Sequence, residues 1–129
     1  MGLDVTHDCW SGAYSSFALF RSLIAKSMGF DLDKMEGFVA FGKKWDSLPR
    51  NNLYILLNHS DCDGEISVEE SKKLLEAMIE HKAKFQSFKG EVEHKGRKAR
   101  IDENTIYKYE RWIDGLEEAI EKEEEVEFY

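Results

Sequence analysis

The sequence predicts an α+β fold that is predominantly helical, with about three main helices and a small two- or three-stranded sheet. Apolar residues recur at three- and four-residue steps in three separate segments, which is the spacing of a buried helix face. The segment LDVTH at 3–7 alternates apolar and polar residues and predicts a short strand. We expect the last four residues, VEFY, to pair with this first strand.

The first helix is predicted within SGAYSSFALFRSLIAKSMGF, residues 11–30. Ser11 is the expected cap at its start and Gly29 the expected end. Its apolar face consists of Ala13, Phe17, Phe20, Ile24 and Met28.

The middle of the chain is less regular. A short amphipathic turn is expected around DLDKMEGF, followed by a loop that contains Trp45 and Pro49. NLYILL at 52–57 is either a buried strand or a short helical segment, because a short apolar run suits both.

Two more helices follow. SVEE at 67–70 predicts a helix start in which Ser67 and Glu70 form a capping box. The expected buried stripe of this helix is Leu74, Leu75, Met78 and Ile79, and that of the last helix is Ile106, Tyr109, Ile113, Leu116 and Ile120.

Composition limits the protein class. The 129 residues predict one domain, 1–129, and 42% hydrophobic residues are enough for a core. The net charge of −8 argues against nucleic acid as a partner, and no apolar run is long enough to span a membrane. Cys9 and Cys62 are expected to be reduced thiols, which predicts a cytoplasmic protein (in the host cytoplasm if a phage encodes it).

The charges are unevenly distributed. Residues 81–100 hold seven Lys and Arg against two Glu, whereas residues 117–127 hold seven Glu against one Lys. The first interpretation is a solvated loop and a solvated helix end. The alternative is that the basic segment recognises an anionic ligand such as a phosphate.

The stretch HSDCDGEISVEE, residues 59–70, resembles an EF-hand calcium loop. Asp61, Asp63, Gly64 and Glu70 hold the third, fifth, sixth and twelfth positions, and the first position departs from the motif because it is His59. The resemblance implies a divalent cation, with Ca²⁺ as the first candidate and Mn²⁺ or Zn²⁺ as alternatives. The implied ligands are His59, Asp61, Asp63, Glu65 and Glu70.

The same region is similar to a second family. In YILLNHSDCDG, residues 55–64 resemble the first motif of the DHH phosphoesterases, in which an apolar strand precedes a His-x-Asp-x-Asp-Gly stretch. This resemblance implies a manganese-dependent phosphohydrolase that uses His59, Asp61 and Asp63. Across the whole chain, THDCW, YSSFALFR, HSDCDGEIS and VEFY together resemble a set of small uncharacterised bacterial and phage proteins, which implies no particular activity.

Two other interpretations of these residues remain open. Asp61, Asp63 and Gly64 can build a tight turn while Ser67 and Glu70 cap the helix, with no metal bound. Alternatively, His7, Cys9, His59 and Cys62 are the donor types of a four-ligand zinc site.

A polar pocket is a further candidate site. Tyr14 and Arg21 are seven residues apart and therefore near one side of the first helix, with His7 just upstream. An arginine there suits a carboxylate or phosphate. The preferred interpretation, however, is an amphipathic helix with Tyr14 half-buried and Arg21 reaching solvent.

The sequence therefore predicts a small, non-catalytic binding or regulatory protein with a divalent-cation loop at 59–70. The expected partner is a protein or a small anionic ligand. The alternative function is the metal-dependent phosphohydrolase.

Overall fold

The computed structural model describes residues 2–129, and within this range the fold is α+β and mostly helical, as predicted. The helices are α1 (Tyr14–Met28), α2 (Tyr54–Leu57), α3 (Val68–Ser87) and α4 (Glu103–Glu121). The strands are β1 (Gly2–Val5), β2 (Trp10–Ala13), β3 (Glu65–Ile66), β4 (Glu91–His94), β5 (Arg97–Arg100) and β6 (Val126–Glu127). Each strand has one antiparallel partner, in the pairs β1–β2, β3–β6 and β4–β5.

One hydrophobic core joins these elements, with members from Leu3 to Phe128. Its largest fully buried side chains are Trp112, Tyr109, Phe17 and Phe85. The predicted stripe of α4 is confirmed at Tyr109, Ile113 and Leu116, which are buried. On α3 the prediction holds for Leu74 and Met78 but not for Ile79, which is 55% exposed because it lies on the outer side of the helix.

The start of α1 differs from the prediction. The residue before the helix is Ala13, which makes no side-chain cap, and Ser11 lies in β2 instead. The Ser11 hydroxyl donates to Asp4 Oδ1 across the β1–β2 pair at 2.8 Å. The predicted end is confirmed, since Gly29 has the left-handed conformation (φ 101°) in which a side chain would be strained.

The basic segment 81–100 is not a loop. Helix α3 continues to Ser87, and β4 and β5 then form a hairpin. Lys95 and Gly96 connect the two strands with positive φ angles of 49° and 81°, which is typical of a two-residue hairpin turn. The hairpin is stable here because Val92 and Ala99 pack against the core.

The end of the chain pairs with the first strand, as expected, and also with a strand that was not predicted. Asp4 and Tyr129 exchange two backbone hydrogen bonds of 2.9 and 2.8 Å, and β6 adds β3 on its other side. In residues 2–129, the helices are all too short or too polar to cross a bilayer.

Candidate cation loop

The loop of residues 59–70 lies between the short helix α2 and the long helix α3. NLYILL forms a helix over Tyr54–Leu57 rather than a strand, so the helix–loop–helix order is that of an EF-hand and not of the DHH motif. Gly64, at the sixth position, has φ 89° and makes the sharp turn that this position requires. Glu65 and Ile66 then form β3, a strand of two residues.

The capping box at the start of α3 is confirmed. Ser67 Oγ accepts a hydrogen bond from the Glu70 amide at 3.1 Å, and Glu70 Oε1 accepts one from the Ser67 amide at 3.0 Å. Glu70, the expected twelfth-position ligand, therefore already accepts a hydrogen bond from a backbone amide at the N-terminus of α3.

His59 lies inside the loop, where it contacts the backbone. Its Nε2 is 3.1 Å from the Glu65 carbonyl oxygen and its Nδ1 is 2.8 Å from the Ser60 carbonyl oxygen. A carbonyl oxygen only accepts, and a neutral imidazole has one N–H, so a neutral ring donates to one of these two oxygens. The ring also stacks on Phe128, with centroids 4.1 Å apart, which fixes its plane. His59 thus joins the beginning of the loop to its seventh position.

The aspartates of the loop face solvent. Asp63 Oδ1 accepts a hydrogen bond from Ser60 Oγ at 2.8 Å, and the same Ser60 oxygen accepts from the Cys62 amide at 3.3 Å. Asp61 lies near enough to Arg21 for its charge to favour the charged form of that guanidinium. These side-chain contacts therefore stabilise the turn.

The β3–β6 pair adds another carboxylate to this region. Glu65 stands directly opposite Glu127 in the antiparallel register, and both are exposed. Like charges in directly opposite positions destabilise a strand pair, and a bound cation would relieve that repulsion.

Arg21 forms the base of the loop rather than a ligand pocket. It is 3% exposed, and its Nη1 donates to the carbonyl oxygens of Leu56, Leu57 and His59 at 3.2, 3.4 and 2.7 Å. Burial lowers its pKa from 12.5 to about 10, with the charge of Asp61 opposing that change. The guanidinium therefore caps the carbonyl end of α2.

The predicted pocket of His7, Tyr14 and Arg21 is not assembled. His7 lies 3.5 Å from Glu118 and 3.7 Å from Glu124, and so shares no partner with Arg21. Tyr14 is half-buried against the core. Arg21 does not reach solvent because the α2 carbonyls are its partners.

The donors of the candidate metal sites remain apart. Across residues 2–129, histidine, cysteine, aspartate and glutamate side chains nowhere gather in a group of three that could hold a metal ion. Of the zinc candidates, Cys9 is buried in the core with a thiol pKa raised by burial to about 12, whereas Cys62 is exposed. His59 faces backbone carbonyls, and His7 faces glutamates.

Two participants in this region were not predicted. Phe128 stacks on His59, and its amide donates to the Gly64 carbonyl at 2.9 Å. Ser60 orders the turn through Asp63. The sequence gives no periodic signal for either contact, since Phe128 is distant in the chain and Ser60 is a lone hydroxyl.

Comparisons with protein-family models, with curated proteins and with solved structures found no match to this chain.

Proposed function

We propose that this chain is a small non-catalytic binding protein whose loop at 59–70 responds to a divalent cation, with Ca²⁺ as the first candidate. The helix–loop–strand–helix backbone and the left-handed Gly64 support this proposal, because both are features of a calcium loop. Asp61 and Asp63 are the side-chain ligands expected to move least, since both already face solvent beside the turn.

The observation that carries the proposal is the contact between His59 Nε2 and the Glu65 carbonyl oxygen. In an EF-hand loop, the seventh-position carbonyl is a calcium ligand. When the ring hydrogen is on Nε2, His59 donates it to that oxygen, so a cation competes with the imidazole for it. We therefore expect weak binding in which His59 leaves the Glu65 carbonyl and Glu70 leaves the Ser67 amide.

A phosphohydrolase is less well supported by the same residues. A catalytic metal would need His59 as a ligand beside Asp61 and Asp63, whereas both ring nitrogens of His59 face backbone carbonyls. A metal-dependent hydrolase also needs further metal ligands and a base, which one loop does not supply. For these reasons we favour a binding protein over an enzyme.

The decisive test replaces the competing imidazole with the ligand that a calcium loop has at this position. His59→Asp supplies a carboxylate and frees the Glu65 carbonyl, so we expect calcium affinity to rise by about tenfold or more. Isothermal titration calorimetry with CaCl₂ and with MnCl₂ measures it. His59→Gln is the matched variant, because it removes the imidazole without adding a charge and should give a smaller gain.

A second test asks whether calcium binding depends on the residues of the loop. In the His59→Asp background, Asp63→Ala should remove the calcium response, whereas Asp46→Ala, in the helical turn Trp45–Ser47 outside the loop, should leave it unchanged. For the wild-type protein, we expect calcium at about 10 mM to raise the melting temperature, because a ligand of the folded state stabilises it. A wild-type melting temperature that neither Ca²⁺ nor Mn²⁺ changes would contradict the proposal, whatever the variants bind.

A further inference from the structure

One face of the molecule carries a groove lined by positively charged side chains. This face contrasts with the rest of the molecule, which is negatively charged. The groove consists of two adjoining cavities, one of about 300 Å³ between α1, β5 and the start of α4, and one of about 440 Å³ between β2 and α4. Asn104 and Lys108 line both cavities. We call this feature the basic groove and define it by Arg97, Lys98, Arg100, Lys108 and Arg111.

The charge of the basic groove contrasts with that of the protein. Five cations line it against two carboxylates, Asp8 and Asp102, in a molecule with a net charge of −8. Asp102 is occupied as the N-cap of α4, where its Oδ1 accepts hydrogen bonds of 2.9 Å from both the amide and the hydroxyl of Thr105. Three of the five cations have carboxylate partners outside the lining, since Lys98 and Arg100 pair with Glu91 and Arg111 pairs with Asp114.

Lys108 and Arg97 are the two cations without a carboxylate partner. Lys108 Nζ lies 4.9 Å from the centre of the Trp10 ring, and Arg97 Nη1 donates to Ser15 Oγ at 2.7 Å. Within residues 2–129, neither has a carboxylate oxygen within 4.0 Å, whereas Arg100 pairs with Glu91 and Arg111 pairs with Asp114. Uncharged contacts thus hold both cations in place and leave their charges available to a ligand.

We propose that the basic groove binds the phosphate groups of a small molecule. The planar fork of Arg97, the compact charge of Lys108 and the amide of Asn104 provide the kinds of donor that phosphate oxygens accept. Tyr107, 60% exposed, lies at the rim of the larger cavity and offers a ring to any planar part of the ligand. The rest of the surface is acidic, which favours a small ligand over a long polyanion.

The basic groove is independent of the cation loop. Its lining belongs to α1, β2 with the two residues before it, β5 and α4, whereas the loop lies between α2 and α3, and the two share no lining residue. The two proposals can therefore fail separately, since a phosphate titration needs no divalent cation.

The test is a calorimetric titration of the full chain with inorganic pyrophosphate in a buffer free of divalent cations. We expect saturable one-to-one binding, and we expect Lys108→Gln and Arg97→Gln each to weaken it by about tenfold, because each removes a charge-assisted contact. Lys73→Gln is the matched control. It removes one positive charge from an exposed position on α3 and should leave the affinity unchanged.

A local readout accompanies the titration. Since Lys108 lies over Trp10, ligand binding should shift the indole N–H resonance of Trp10 in a two-dimensional NMR spectrum, and Lys108→Gln should reduce the shift. Unchanged circular dichroism and thermal unfolding would show that the variants are folded. Adenosine diphosphate serves as a second probe. If it binds more tightly than pyrophosphate and Tyr107→Ala abolishes the difference, the planar base of the ligand contacts the Tyr107 ring.

Two results would overturn the proposal. One is the absence of saturable pyrophosphate binding to the wild-type protein. The other is an equal loss of affinity in Lys73→Gln and Lys108→Gln, because it would mean that net charge rather than the groove attracts the anion.

Discussion

Arg21 shows how one buried cation can fix the start of a loop. Its guanidinium lies between the Phe17 ring, 4.6 Å away, and the Phe38 ring, 5.5 Å away, so aromatic faces replace part of its lost hydration. Three backbone carbonyls accept hydrogen bonds from one of its terminal nitrogens. This single residue therefore connects α1 to α2 and to the first residue of the cation loop.

Replacing Arg21 should be costly. Arg21→Met keeps most of the side-chain volume but leaves the carbonyls of Leu57 and His59 without the donor that Arg21 supplies, so we expect the free energy of unfolding to fall by about 3 kcal/mol. Urea denaturation measures it. Lys26→Met on the same helix is the control, because its ion pair with Asp31 is partly exposed and worth about 1 kcal/mol or less. An equal effect of the two substitutions would contradict the assigned role of Arg21.

At the scale of elements, α4 depends on a close approach to the chain between β1 and β2. Gly115 lies in the middle of this helix, where glycine normally costs about 1 kcal/mol relative to alanine. A Cβ built at Gly115 would lie 2.8 Å from the His7 carbonyl oxygen and closer still to Cys9 Sγ. The glycine is therefore required for packing rather than for a turn.

The usual effect of replacing a helical glycine should be reversed here. We expect Gly115→Ala to destabilise the protein by about 1–3 kcal/mol, because the methyl group overfills the contact. Thermal and urea unfolding measure the change. Adding Cys9→Ala removes the nearer obstacle and should recover part of the loss, whereas a gain in stability from Gly115→Ala alone would show that α4 does not pack this closely.

The molecule as a whole buries several groups that must stay uncharged. Burial raises the pKa of the Cys9 thiol from 9.0 to about 12, and burial also raises the pKa of the Tyr109 phenol, whose hydroxyl donates to the Met78 carbonyl at 2.6 Å. Both groups lie in the one core that joins the helices to the terminal strands. The thiol and the phenol therefore lose their protons at a higher pH in the folded protein than in the unfolded chain.

This difference predicts alkaline destabilisation. Above the thiol's ordinary pKa of 9.0 the unfolded chain loses the Cys9 proton while the folded protein keeps it until about pH 12. The contribution of the neutral thiol to stability is fully present below pH 9.0 and is lost as the pH rises. Between pH 9.0 and about 12, this thiol alone should lower the free energy of unfolding by about 1.4 kcal/mol per pH unit. Urea unfolding under reducing conditions at several pH values measures the slope. Cys9→Ala should show a shallower decline, and identical slopes would contradict a buried neutral thiol.

Much of the helical framework was predictable, because its signals are local. The Ser67 and Glu70 capping box, the Gly29 terminator and the apolar face of α4 each depend on residues within a few positions of one another. The β4–β5 hairpin had a local signal too, in Lys95–Gly96, but the dense charge around it favoured a solvated loop. Ser11 was wrong as a cap because its strand pairs with β1, a contact that a helix pattern does not contain.

The sequence by itself determined the three main helices, the capping box of α3, the glycine end of α1 and a glycine turn flanked by carboxylates, since chain neighbours specify all of these. Only the tertiary structure decided which groups the side chains of the loop contact. His59 lies on the Glu65 carbonyl because Phe128, from the other end of the chain, stacks on its ring, and Arg21 is buried because the α2 carbonyls need a donor. The basic groove likewise exists only because α1, β2, β5 and α4 meet, and contacts between residues so distant in the chain leave no periodic pattern in the sequence.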